Sequence, residues 1–431
     1  MKKEILKSVF GAHKNLIVTG DVSTGKTTKV IMPLVDEMIE NEQSIVFLDP
    51  KEEYYTKYYG LLKDKNYNFV VLNLRDFEKS DGWNPLEYPY ELYKKGKIDA
   101  SLDHIEKIAS TICYEKVSSD PFWSLTAADC LVGLILALFE DANDEEVNIN
   151  SICEMLDLFD NSDTNKSVIK QYFNNKQEDQ SYHYVVATLN APKETKASII
   201  SVLKQKIRLY ISRDSLAAIL SKNTFDYQDF LTKPTAIFVL AKDETKALNS
   251  IASIFIEEIY ATLLEEGHEI YYNFILDNVD ILDDLNLLLD MLSSCISRNV
   301  KFILGTRSMD YLTNFYGDYI LTLCNMIEAL NDEIIISISK EGDFEEVFKE
   351  RKHLDYPKPG KSSVKTFNIK EYLEIDSEEK TEEKKEIKPT KAELNVEELI
   401  QKIDQRIQEI ENESKKHQSS DQSVFDVFRE E

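Results

Sequence analysis

From residue 16 onward, short apolar runs alternate with stretches of helical periodicity: residues 16–19, a helical pattern to about 41, then runs at 44–48 and 68–72. That rhythm predicts a parallel sheet covered by helices. Between about 121 and 231 strand-like runs almost vanish, and the spacing predicts helices that include 123–139, 149–159 and 197–211. Strand signals return at 235–240, 270–276, 300–304, 319–323 and 333–338, mostly with helical patterns between them. The expected organisation is therefore an α/β domain in two parts, 1–120 and 232–345, split by an all-α insertion over 121–231. Residues 346–431 are expected to form a flexible charged tail with one amphipathic helix.

That helix is marked by Val396, Ile400, Ile403, Ile407 and Ile410. The spacing fits a coiled-coil seam but lasts about two heptads where three or four are needed, so a solvated or partner-bound helix is the better reading. The longest apolar run, 130–139, is about half of what crosses a bilayer, and no signal-peptide pattern opens the chain. The expectation is a cytoplasmic protein with no membrane-spanning segment of its own. Five cysteines stand without a CxxC pair and six histidines show no ligand spacing, so neither a disulfide framework nor a zinc site is expected.

At 431 residues and 42% hydrophobic, the chain can bury at least one large core. Its net charge of −27 excludes a blanket electrostatic grip on a nucleic-acid backbone, and any such contact must be local. The acidity is not confined to the tail: residues before 376 carry net −20. One stretch breaks the pattern, 191–213, where Lys193, Lys196, Lys204, Lys206, Arg208 and Arg213 face Glu194 alone. A nucleic-acid or cargo contact and a solvated helix face both fit it. The 22 tyrosines and 20 phenylalanines show no interleaving with Arg or Lys, which favours packing over base stacking.

Gly20, Asp21, Val22, Ser23, Thr24, Gly25, Lys26 and Thr27 form a complete GxxxxGK[ST] string between an apolar run and a helical pattern, with Thr28 following. Small residues let backbone N–H groups wrap phosphate oxygens at a helix N-terminus. The lysine meets the β and γ phosphates, and the hydroxyl holds magnesium. The alternative, a chance glycine turn, is rare in a chain with only 12 glycines. A second element, 271–277, is a hydrophobic strand ending in Asp277, which would hold magnesium through water. ATP and Mg2+ are the cofactors expected, with Lys26 and Asp277 as catalytic groups and Thr27 and Asp277 at the metal. The next residue, Asn278, is an amide that cannot take a proton from water. Asp280, Asp283 and Asp284 follow closely, and capping or a solvated face is their plainer reading.

These residues and several further blocks resemble the type IV coupling proteins, the ring-forming ATPases that bring relaxase-bound DNA to the conjugative secretion channel. Asp49, Pro50, Lys51, Glu53 and Tyr54 resemble the family's DPKGE block, with Glu52 where glycine is usual. Trp83, Asn84, Pro85 and Leu86 resemble its WNPL block, and Asp120, Pro121, Phe122 and Trp123 the DPFW start of its all-α domain. Ala191, Pro192, Thr195, Ser198 and Ile199 resemble a later segment of that domain, and Phe315, Tyr316 and Gly317 an element near the end of the motor domain. Each block also has a plain structural reading: the tryptophans as core, Asn84–Pro85 as a turn, Asp49 as a strand end. For Asp49 and Lys51, site and scaffold are evenly balanced.

The resemblance implies a RecA-like P-loop NTPase fold and a homo-oligomeric, hexameric ring. It also implies partnership with relaxosome, DNA and membrane-embedded type IV secretion components, and recruitment to the inner face of the cell membrane. Arg298 falls near the family's arginine that completes a neighbour's site; a helix-end cation is the plain alternative. The family's membrane-spanning N-terminal part has no counterpart in the fifteen residues before the first strand, so anchoring is expected to be lost or supplied by a partner. Asn278 stands where the family has a catalytic Glu, and Arg307 where it has a nucleotide-sensing Gln. Two functions therefore stand side by side: a DNA-coupling ATPase, and a nucleotide-responsive, hydrolysis-poor docking subunit. A P-loop enzyme acting on a small molecule is a third, which the blocks outside the phosphate loop oppose.

Overall fold

Seven strands build the sheet: β1 (Asn15–Thr19), β2 (Ser44–Leu48), β3 (Asn68–Asn73), β4 (Thr235–Leu240), β5 (Tyr272–Leu276), β6 (Val300–Thr306) and β7 (Cys324–Glu328). Their order is β3-β4-β2-β5-β6-β1-β7, and every described pair is parallel. The structure is a computed structural model, describing residues 15–21, 24–113, 120–161, 167–244, 248–282, 285, 287–328 and 365–366. The chain divides into two units, 1–373 and 374–431, and the second lies wholly outside the described residues. So do the expected strand at 333–338 and the expected tail helix.

Strands β1, β2 and β4 are buried along their whole length, which is why they read as unbroken apolar runs. One face carries Leu16, Val18, Phe47 and Phe238 under α1 (Met32–Glu40) and α2 (Glu53–Asp64). Tyr54, Tyr55 and Tyr58 of α2 pack there as an aromatic layer, Phe47 lying 5.1 Å from Tyr54 and 4.8 Å from Phe238. The tyrosine pairs are thus packing residues.

The other face continues without a break into the helices between β3 and β4. These are α3 (Glu87–Lys94), α4 (Ile98–Cys113), α5 (Phe122–Asp141), α6 (Ile149–Asp157), α7 (Val168–Asn174), α8 (Gln180–Asn190), α9 (Lys193–Ile211), α10 (Asp214–Ile219) and α11 (Tyr227–Thr232). Helix α12 (Asn249–Glu266) joins them to the sheet. Trp83 is buried, donates its ring N–H to Glu258 of α12 at 2.8 Å and sets its edge on Phe255. Asn84 bonds the Val147 carbonyl at 2.7 Å. The WNPL block is a structural joint between sheet and helices.

One expectation is corrected. Residues 319–323 form a helix, α14 (Tyr319–Leu323), which follows α13 (Met309–Tyr316), and the strand comes next as β7. A five-residue apolar run suits either state, and here Gly317, at φ 76°, breaks the chain so that Asp318 starts a turn burying Ile320 while Tyr319 and Leu321 face out. Helix α5 spans 20 residues and, by length and composition alone, is long and apolar enough to cross a membrane. Its apolarity serves the fold: the whole of 130–139 is buried among the neighbouring helices.

Candidate nucleotide-binding site

Parallel strands present their C-terminal ends at one edge of a sheet, where ligands of α/β proteins bind. At that edge a cavity of about 420 Å³ is lined from five directions: residues after β1 (Asp21, Gly25, Lys26, Thr27, Thr28), after β2 (Asp49 to Lys51, Glu53, Tyr54), after β4 (Asp243), after β5 (Asp277, Asn278) and after β6 (Arg307).

The loop after β1 turns at Gly25, whose φ of 89° suits a residue without a Cβ. It then enters a π-helical turn, Lys26–Ile31, before α1. Pro33 has no N–H to give the Lys29 carbonyl, and Met32 bonds back five residues to Thr27, the wide spacing of the turn. Lys26 is buried and its ammonium donates to the carbonyls of Gly20 at 2.5 Å and Asp21 at 3.1 Å. Burial lowers its pKa, against the raising effect of Asp277 and Asp280.

Thr27 and Asp277 meet although β6 lies between their strands. The Thr27 hydroxyl donates to Asp277 Oδ2 at 2.5 Å, and the Tyr54 hydroxyl to the same oxygen at 2.9 Å. What lets the carboxylate lean across β6 is Gly305: a Cβ there would stand 2.2 Å from Asp277 Oδ1. Burial raises the Tyr54 pKa well above its usual value, with Asp277 adding to it, so the phenol stays a neutral donor.

Asp49 is fully buried and accepts from the backbone N–H groups of Glu53 at 2.9 Å and Tyr55 at 2.8 Å. Burial outweighs those bonds and pushes its carboxyl up to about 7. It holds the start of α2 in place, the scaffold half of the balance left by the sequence, while lining the cavity as well. Glu52 has φ 57°, the left-handed region, which explains why glycine is usual there. Arg75, unnoticed in the sequence, ties three loops together: it donates to Pro50 O at 2.8 Å, to Ala241 O at 3.3 Å and to Glu244 at 3.0 Å.

Of the residues expected at the phosphates, Asp21, Gly25, Lys26, Thr27 and Thr28 line this cavity, Gly20 accepts from Lys26, Thr24 donates to the Asp21 carbonyl, and Val22 and Ser23 lie outside the described residues. Asp280 is a brace, accepting from Thr306 at 2.6 Å and from the Arg307 N–H at 3.0 Å; Asp283 and Asp284 lie outside the described residues. Arg307 does reach the cavity. Arg298 is exposed just before β6, at the opposite edge of the sheet from its own chain's cavity. Trp123 is half-buried against the exposed Phe122. In the basic stretch Lys196 is buried and Lys204 pairs with Asp157 at 3.0 Å, so part of that charge is spent within the helices. Sequence reasoning missed Asp243 and Gly305; their signal was position at the end of a parallel strand.

The profile of the family described as type IV secretory system conjugative DNA transfer matches residues 6–326, and the chain belongs to that family. Its fold is that of a conjugative coupling protein, a RecA-like P-loop NTPase. The bacterial conjugative coupling protein TrwBdeltaN70, unbound, is similar with TM-score 0.52 and 14% identity, over 72% of this chain and 66% of that one. TrwB in complex with a non-hydrolysable GTP analogue matches with TM-score 0.51 and 14% identity, over 71% and 66%. TrwB with ADP and Mg2+ matches with TM-score 0.50 and 15% identity over the same shares. The chain thus spans about two thirds of the solved coupling proteins it resembles. No curated protein sequence matches it.

Proposed function

We propose that this chain binds ATP with Mg2+ at the edge of its sheet and acts as the coupling ATPase of a conjugative type IV secretion apparatus, delivering relaxase-bound DNA to the transfer channel. The observation that carries this is the meeting of Lys26, Thr27 and Asp277 on one cavity built from five strand ends. A hydroxyl and a carboxylate in contact are the hard oxygen donors that magnesium takes alongside phosphate, so the residues fit the ion: Thr27 would ligate it and Asp277 would hold its water. Bound there, the ion would neutralise charge on the phosphates. Lys26 would leave the carbonyls of Gly20 and Asp21 for phosphate oxygens, and Gly20 to Thr28 would offer backbone N–H groups.

On this reading 1–120 and 232–345 form the nucleotide-binding domain, 121–231 the all-α domain facing cargo, and 346–431 a tail. Subunits assemble as a hexameric ring in which exposed Arg298 completes a neighbour's site. The protein works in the cytoplasm against membrane-embedded secretion components. The second reading, a docking subunit with little turnover, draws on one observation: Asn278, at φ 61°, puts an amide into the cavity beside Asp277.

The test is ATP binding and ATP hydrolysis by the purified chain, with and without DNA, beside Lys26→Ala. Binding lost in Lys26→Ala with DNA-stimulated turnover in wild type is the result expected. Binding without turnover above that variant gives the docking reading, and no binding by wild type overturns both.

A further inference from the structure

The amide at position 278 leaves open which group takes the proton from an attacking water, and the cavity contains several carboxylates besides Asp277. Most are committed. Asp277 accepts from Thr27, Tyr54 and its own neighbour's N–H. Both oxygens of Asp49 accept backbone N–H groups, and Asp243 lies 3.7 Å from the Arg75 guanidinium. Asp21 is exposed and belongs to the phosphate loop itself. Glu53 differs. It lines the cavity at the first turn of α2, is half-buried, and among the described residues its carboxylate accepts no hydrogen bond. Its backbone is pinned, because its N–H donates to buried Asp49, so the side chain is aimed from a rigid point.

Resting on the reading of the cavity as an ATP site, we infer that Glu53 is the catalytic base for hydrolysis, doing from the end of β2 what a carboxylate at position 278 would do from the end of β5. Glu53 orients a water and accepts its proton as the water oxygen bonds to the γ-phosphorus. The bond from that phosphorus to the β–γ bridging oxygen breaks, ADP and inorganic phosphate leave, and the proton passes from Glu53 to solvent. Burial raises the Glu53 pKa, with Lys51 opposing and Asp277 adding to the rise, which makes the ionised carboxylate a stronger base for a water proton.

The experiment measures kcat, KM and ATP affinity of the full chain with DNA present, for wild type, Glu53→Gln, Glu53→Asp and Lys26→Ala. The expected result is a fall in kcat of about 10²- to 10⁴-fold in Glu53→Gln with ATP affinity within about threefold of wild type, and partial recovery in Glu53→Asp. Asn278→Glu placed on Glu53→Gln is expected to restore turnover, which a structural role for Glu53 would not produce. Turnover of Glu53→Gln within threefold of wild type overturns the inference. Wild type that binds ATP yet matches Lys26→Ala in turnover overturns it too, while leaving the nucleotide site standing; loss of ATP binding in wild type overturns the site as well.

Discussion

Gly305→Ala is the substitution by which the crossing of Asp277 over β6 is best tested. The added Cβ would stand 2.2 Å from Asp277 Oδ1 and 3.1 Å from its Cα and Cγ, whereas real Cβ atoms essentially never come within 3.0 Å of a neighbour. The carboxylate must withdraw by about 1 Å, which takes its contact with the Thr27 hydroxyl out of hydrogen-bond range. Overpacking of this kind costs about 1–3 kcal/mol, offset by about 0.5–1 kcal/mol from removing a glycine in a strand. Net stability should therefore fall by no more than about 2.5 kcal/mol, a modest loss for a chain of this size. Nucleotide binding should suffer more, because Thr27 and Asp277 would no longer face one another. A fall in Mg-ATP affinity of tenfold or more, equal to about 1.4 kcal/mol, is expected in a titration with a fluorescent ATP analogue. A folded Gly305→Ala protein that binds Mg-ATP within twofold of wild type would refute the reasoning.

Other consequences follow from backbone and burial. Gly60 lies on the exposed side of α2 with nothing within 4 Å of an added Cβ, so Gly60→Ala should gain about 0.5–1 kcal/mol in urea unfolding; a loss would contradict the helix placement. Glu52→Gly relieves a left-handed residue at φ 57° and gives up a distant ion pair, 3.8 Å from Arg75, so a gain of about 0.5–1 kcal/mol is expected; unchanged or lower stability would count against strain there. Burial pushes Glu258 up to about 8, although Trp83 and Tyr227 donate to it. Its folded pKa lies above the usual 4.5, so the folded state holds the proton more tightly, and the stability this brings, full below about 4.5, is lost as pH rises to about 8. Unfolding curves at pH 5.5 and 8.5 should show Glu258→Gln gaining on wild type by up to about 1.4 kcal/mol per unit across that window; a difference independent of pH would refute the buried acid.

The phosphate loop, the strand–helix rhythm and the acid ending β5 were all legible in the amino-acid string, because each is set by residues within about eight positions of one another: local propensity and local hydrogen bonding decide them. The family blocks were legible for the same reason, and their structural reading held for Trp83 and Asn84, which the fold uses as joints. The run at 319–323 was not, since five apolar residues fit a strand or a helix equally and the break at Gly317 chose. Strand order was beyond reach of the string. Placing β6 between β1 and β5 made Gly305 the passage through which Asp277 reaches Thr27, and pairing β2 with β5 brought Tyr54 onto the same carboxylate. Thr27 and Tyr54 each lie more than two hundred positions from Asp277, and only packing of the whole sheet brings such residues into contact.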